Sequence, residues 1–135
     1  MSHKKTVEKI YEAFGRGDIP AILNQLAGDV EWEYAYREAP NPVPWLQPRN
    51  GRNAAGLFFE SLGAVEFHGF TPTAILENGK IVVALINIEF TVKKTGKRVV
   101  ETDEAHVWHF NDAGKVARFR HCADTFQHVM AYNEG

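Results

Sequence analysis

From Val65 to Ala123 the chain is a succession of strand-forming segments divided by tight turn signals, and this half dictates what the other half can do. Val65 to Leu76 reads as a strand broken near Pro72, and Asn78-Gly79 is a strong hairpin turn. Lys80 to Lys93, Arg98 to Phe110 and Lys115 to Ala123 read as three further strands. Thr95-Gly96 and Asn111-Asp112-Ala113-Gly114 supply the turns between them. Short connections of this kind force antiparallel neighbours, so the segment predicts a meander whose one face needs a cover.

The cover is encoded upstream. Val7, Ile10, Tyr11 and Phe14 recur at helical spacing between Thr6 and Phe14, and Gly15 and Gly17 stop that helix. Asp18 is placed to cap a second helix over Ile19 to Leu26, with Pro20 in its first turn. A third helix is expected from Asn53 to Leu62 and a closing one from Asp124 to Tyr132, with Asp124 as its cap. Between them "VEWEYAY" alternates as a strand that would set Trp32, Tyr34 and Tyr36 on one face. The segment "REAPNPVPWLQPRNG" holds four of the six prolines and can be neither helix interior nor central strand. Its stretch from Pro40 to Pro48 reads as a stiff flap with Trp45 or Leu46 turned inward. Helices followed by a curled, mainly antiparallel sheet make an α+β plan, with residues 1–135 as one domain.

Composition narrows the function classes. A net charge of −2 with scattered basic residues gives no electrostatic footprint for nucleic acid. The basic run Lys93 to Arg98 reads as a solvated hairpin tip. The single Cys122 excludes an internal disulfide, provides no metal cluster, and is expected as a buried, inert thiol. No stretch is apolar enough to span a membrane and no signal-peptide core follows the N-terminus, so a soluble cytoplasmic protein without membrane contact is the expectation. No nucleotide, flavin or metal motif occurs, so no cofactor and no metal is expected.

The segments "FGRGDIPAILNQLAGDVEW", "NGRNAAGLFFESL" and "AHVWHFNDAGKVARFRHCADT", taken in order, resemble the nuclear-transport-factor-2-like superfamily, which includes SnoaL-like polyketide cyclases and ketosteroid isomerases. The resemblance implies a cone: a curved, mixed sheet wrapped around the N-terminal helices, with an internal pocket that is mostly apolar. The positions that carry ketosteroid isomerase chemistry fall on Ile10, Tyr34 and His106 and have all changed type, which argues against steroid isomerisation by that mechanism. The Asp–Arg–Asp set of limonene-epoxide-hydrolase-type members finds only Arg120 and Asp124, on the face opposite His121.

Strand parity selects the candidate site. In "HVWHF" the two histidines point to opposite faces, so His106 shares a face with Trp108 while His109 does not, and they cannot share a metal. A hairpin tight at Asp112-Ala113 would set His106 opposite Phe119 and Glu104 opposite His121. The candidate catalytic residues are therefore His106, His121, Tyr34 and Glu104. His106 would be the base, with His121 oriented by Glu104 as the substitute, and Tyr34 helped by Asn87 would donate to a developing oxyanion. Ligand contacts are expected from Trp32, Tyr36, Trp45, Phe59, Asn87, Glu89, Trp108 and Phe119. These assignments put the face Val83 to Thr91 toward the pocket and leave Val82, Ala84, Ile86, Ile88 and Phe90 on the convex side, where a homodimer would cover them. The resulting function is a small-molecule pocket protein acting as a cofactor-free lyase, isomerase or cyclase on an apolar carbonyl compound. The alternatives are a carrier or sensor of an aromatic or lipid-like ligand, and a dimeric association module.

Overall fold

The structure, a computed structural model, describes residues 2–36 and 41–134. Ser2 accepts a hydrogen bond from the Lys5 N–H and so caps helix α1 (His3–Gly15), whose Val7, Ile10 and Ala13 turn inward. Asp18 caps the short α2 (Ile19–Leu23) through the Ala21 N–H. Leu26, expected at the end of that helix, instead opens strand β1 (Leu26–Trp32). A 3₁₀ turn at Pro44–Leu46, the two-residue β2 (Arg49–Asn50) and α3 (Arg52–Ser61) follow. Then come β3 (Val65–Asn78), β4 (Ile81–Val92), β5 (Arg98–Phe110), β6 (Val116–Cys122) and α4 (Thr125–Tyr132), the last capped by Asp124. The six strands form one mixed, curved sheet in the order β2-β1-β6-β5-β4-β3, with β1 and β6 parallel and every other pair antiparallel. Four helices accompany the sheet, α1 and α3 against its inner face, in an α+β architecture.

Cross-strand pairing fixes which face is inner. Val82, Ala84 and Ile86 stand opposite Trp108, His106 and Glu104, and directly paired residues share a face. Val82, Ala84, Ile86, Ile88, Phe90 and Val92 are accordingly buried in the core under the helices. The expectation that this row is a convex dimer surface is thereby overturned. Asn87 and Glu89, expected in the pocket, lie on the outer face, where Asn87 accepts from the Asp103 N–H and Glu89 pairs with Arg98. The pairing partner, and not the polar end of the strand, decides which face is inner. Cys122 is exposed rather than buried, since it stands opposite Ala105 on the outer face.

The β5–β6 register also differs from a tight hairpin. Asn111 donates its N–H to the Lys115 carbonyl, Gly114 adopts φ +77°, and the register slips by one residue between His109 and Phe110. His106 therefore stands opposite His121, and Trp108 opposite Phe119. The difference amounts to two residues, so parity is preserved and all four remain on the inner face.

Candidate active site

Two residues with positive φ determine what else reaches the inside. Glu33 follows the last residue of β1 with φ +56°, so the side chain that alternation would turn outward is 0% exposed. The same turn removes Tyr34 from the cavity: its hydroxyl meets His109 Nε2 at 3.1 Å on the outer face, and the Arg118 guanidinium stacks on its ring. Asp103, with φ +60°, forms the second break. Ile86 stands opposite Glu104 and Ile88 opposite Glu101, so Thr102 and Asp103 bulge against Asn87. The Asn87 side chain, which accepts the Asp103 N–H, holds that bulge. Glu101 and Glu104, three positions apart, consequently both point inward and are buried.

The result is three buried histidine–glutamate pairs. His106 Nε2 lies 2.7 Å from Glu104 Oε1, and His121 Nδ1 lies 2.6 Å from Glu33 Oε2. His128 Nε2 contacts Glu101 Oε1. The three imidazoles form a row, with ring centroids 6.0 Å apart between His106 and His121 and 6.3 Å apart between His121 and His128.

Donor bookkeeping assigns their protons. The Trp45 indole N–H can only donate, and it lies 2.9 Å from His128 Nδ1. His128 Nδ1 is therefore an acceptor, and its proton sits on Nε2, facing Glu101. The Tyr11 hydroxyl accepts the Trp108 indole N–H at 3.1 Å and donates to His106 Nδ1 at 2.8 Å. That leaves the His106 proton on Nε2, facing Glu104. Burial pushes the Tyr11 hydroxyl well above the ordinary phenol range, which keeps it a donor.

His121 differs from the other two. Burial alone would lower its basicity, but the Glu33 carboxylate beside it, aided by Glu104 and Glu101, outweighs burial and pushes it up to about 9. It is an imidazolium at neutral pH. Glu33 grips it twice, because Oε1 accepts the His121 backbone N–H at 2.9 Å. The Tyr36 hydroxyl donates to the His121 carbonyl at 2.6 Å, so Tyr36 holds the strand in place. Burial would raise Glu104, but the hydrogen bond from His106 and the positive His121 bring it down to about 2. His121 Nε2 makes no hydrogen bond with any described residue, and its ring lines the cavity.

That cavity has a volume of about 80 Å³ open to the centres of water-sized spheres. By that measure one water needs on the order of 10–15 Å³, so the space suits a small organic ligand. Its polar wall is Glu104, His106, His121 and His128, and the rest is aromatic and aliphatic. Trp32 stacks on Phe119 at 4.2 Å between centroids, Trp108 packs on Phe119 at 4.4 Å, and Phe58 and Phe59 flank Trp32. The buried indole N–H of Trp32 has no acceptor among the described residues. Trp45 is buried and lines the cavity from the 3₁₀ turn, while Pro40, where the expected flap begins, lies outside the described residues.

Of the residues singled out from sequence, the structure brings His106, His121, Glu104, Trp32, Trp45, Phe59, Trp108 and Phe119 to the cavity wall. Tyr36 stands behind His121, and Tyr34, Asn87 and Glu89 are outside. Sequence reasoning missed Glu33, Glu101, His128 and the role of Tyr11. Glu101, Glu104 and His128 are also the one set of described donors close enough to hold a cation. A metal on His128 Nε2 would require Nδ1 to carry a proton, and the Trp45 N–H occupies that lone pair. The set is better suited to hydrogen bonding.

Fold and site together define an α+β domain whose curved sheet and helices enclose a largely apolar cavity. The sequence pattern of the SnoaL-like domain family matches residues 7–119, and the chain belongs to that family. Among solved structures, an NTF2-like protein of unknown function from Burkholderia pseudomallei is 26% identical with TM-score 0.83, covering 98% of this chain and 99% of its own. A candidate SnoaL-like polyketide cyclase from Mesorhizobium loti is 21% identical with TM-score 0.69, covering 90% of this chain and 98% of its own. A candidate polyketide cyclase from Pseudomonas putida is 18% identical with TM-score 0.75, covering 97% and 98%. The last two establish the fold alone. No curated protein matches the chain. Among the described residues no helix is long and apolar enough to cross a membrane.

Proposed function

We propose that the chain is a cofactor-free enzyme of the cyclase, isomerase or lyase kind, acting by proton transfer on an apolar carbonyl compound. One observation carries this reading: His121, paired with Glu33 through Nδ1, has an Nε2 with no partner among the described residues and lines an otherwise apolar cavity, and the Glu33 carboxylate favours its charged form. A charged donor in a dry site interacts with an oxygen far more strongly as that oxygen gains negative charge, which is the requirement for stabilising an enolate. Glu33 keeps the charge in place, and Tyr36 fixes the strand that bears it. Trp32, Phe58, Phe59 and Phe119 would hold the flat apolar part of the substrate. His106 acts as the link between Tyr11 and Glu104, with both ring nitrogens engaged.

The test uses p-nitrophenol, whose ionised form mimics an enolate and absorbs at a different wavelength from the neutral form. The protein should bind the phenolate in preference to the phenol, and His121→Asn should lower that affinity at least tenfold. Binding of the neutral phenol alone, unchanged in His121→Asn, would overturn the enzyme reading and favour a non-catalytic carrier of aromatic ligands, for which the apolar wall is sufficient.

A further inference from the structure

The cavity wall includes a second polar side chain that the fold leaves without a partner. Trp32 is 1% exposed, yet no described residue accepts a hydrogen bond from its indole N–H. A buried donor without an acceptor is costly, and folded proteins leave few of them. The other two tryptophans show the ordinary solution: Trp45 donates to His128 Nδ1, and Trp108 donates to the Tyr11 hydroxyl. The unpartnered Nε atoms of Arg49 and Arg120 belong to side chains that do not line the cavity.

The surroundings of Trp32 indicate where an acceptor would come from. Its ring packs against Phe58, Phe59, Trp108 and Phe119, with centroids between 4.2 and 6.0 Å away, and all four line the cavity. None of them offers an oxygen or a basic nitrogen. His121 stands on two of the same rings, 6.0 Å from Phe58 and 6.4 Å from Phe119 between centroids. The indole and the imidazole therefore flank the same pair of phenyl rings, within reach of one small planar molecule. The other polar side chains of the wall are engaged among themselves. Both ring nitrogens of His106 and of His128 have partners, and Glu104 accepts from His106. Trp32 Nε1 and His121 Nε2 are the two donors left over among the described cavity residues.

We propose that Trp32 is a specificity-determining residue and that the cavity selects a planar, otherwise apolar compound with two acceptor oxygens, the carbonyl oxygen on His121 Nε2–H and the second oxygen on the Trp32 indole N–H. The place of the carbonyl rests on the function proposed above, whereas the demand for a second oxygen rests on the unpaired indole. Two oxygens held by two donors fix the molecule in one orientation, which a single donor between flat apolar walls cannot do. Discrimination follows from the same unpaired group. A compound with a hydrocarbon group in place of the second oxygen leaves the indole N–H buried without an acceptor, and that loss outweighs the gain from extra apolar surface. The substrate class is therefore an aromatic or conjugated ketone that bears a second carbonyl or comparable oxygen, rather than a plain monoketone.

The test uses neutral ketones matched in shape that differ in one oxygen. In the probes 3- and 4-isopropylacetophenone, an isopropyl group replaces one acetyl group of 1,3- and 1,4-diacetylbenzene. By calorimetry the better-fitting diketone should bind about tenfold or more tighter than its isopropyl counterpart. Trp32→Phe should erase that preference, and His121→Asn should weaken both members of the pair about equally. Should Trp32→Phe fail to fold, the unaltered protein still decides by nuclear magnetic resonance. Of its three indole N–H signals, those of Trp45 and Trp108 already have acceptors, so the diketone should shift one signal downfield and its isopropyl counterpart should not. An isopropyl ketone that binds as tightly as the diketone, or a bound diketone that shifts no indole signal, would overturn the role of Trp32 while leaving a His121-dependent ketone site intact. A preference that disappears in Trp32→Phe, with ketone affinity untouched in His121→Asn, would instead overturn the carbonyl placement and the function proposed above. Failure of both diketones to bind would overturn the selection outright.

Discussion

His106 and His109 stand three residues apart on β5, each with a tyrosine hydroxyl against its ring and a carboxylate nearby, yet they inhabit different chemistry. On the inner face His106 is locked between Tyr11 and Glu104 beside the cavity, with His106 and Glu104 buried and Tyr11 half-buried. On the outer face His109 meets Tyr34, and the neighbouring Arg118 bridges to Glu31 at 3.0 Å with both side chains about half exposed. Partial burial and then the Arg118 charge lower His109 from its usual value, whereas the inner carboxylates raise His121. The same residue types are thus a solvated ornament on one side and a charged, preorganised site on the other. Burial, through the strength it lends to each charge, is what separates them.

The largest effect should come from breaking an inner pair. Glu33→Ala leaves the His121 charge buried without its partner and should cost about 3–5 kcal/mol in urea unfolding. Glu31→Ala, which removes the outer pair with Arg118, should cost no more than about 1 kcal/mol. Equal costs would erase the distinction between the two faces.

Stability should also depend on pH in a way set by the inner groups. His121 is raised from 6.5 to about 9, so its contribution is complete below pH 6.5 and is lost as pH rises through 9. That loss is on the order of 3 kcal/mol. Glu104 is lowered from 4.5 to about 2, so its contribution is complete above pH 4.5 and disappears as pH falls through 2. The melting temperature should therefore be highest between these limits and decline on the alkaline side, and Glu33→Gln should flatten the alkaline decline.

A smaller effect isolates one hydrogen bond. Trp45→Phe keeps most of the ring but strips His128 Nδ1 of its donor, which should cost about 1–3 kcal/mol by the same unfolding measurement. Smallest of all, Tyr34→Phe removes the outer hydroxyl from His109 and should change stability by no more than about 0.5 kcal/mol, with p-nitrophenolate affinity unaltered.

How much of this the sequence discloses follows from where alternation holds. Strand β5 has the bounds expected from its turn signals, and the inward direction of Glu104, His106 and Trp108 follows from parity alone. The cavity aromatics Trp32, Trp108 and Phe119 were legible for the same reason. Glu33 and Glu101 were not, because each depends on a residue with positive φ that breaks the two-residue period, and non-glycine residues seldom announce that conformation. Asp103 carried a weak signal, since aspartate tolerates it better than most. His128 was hidden by its helix, where Phe126 is 74% exposed and Met130 is half exposed, so the apolar residues of α4 do not mark its buried side. Asn87 and Glu89 were misplaced because a polar stretch beside an apolar one suggests a pocket, while the pairing Ala84 to His106 puts the apolar row inside.

The most direct test is a pH titration of the ring nitrogens of the six histidines by nuclear magnetic resonance with ¹⁵N labelling. His121 should show the imidazolium pattern, with both nitrogens protonated, through neutral pH and lose it only near 9, while His109 titrates below 6.5. A His121 that titrates at or below 6.5, like His109, would contradict the account, since no buried positive charge would then face the cavity.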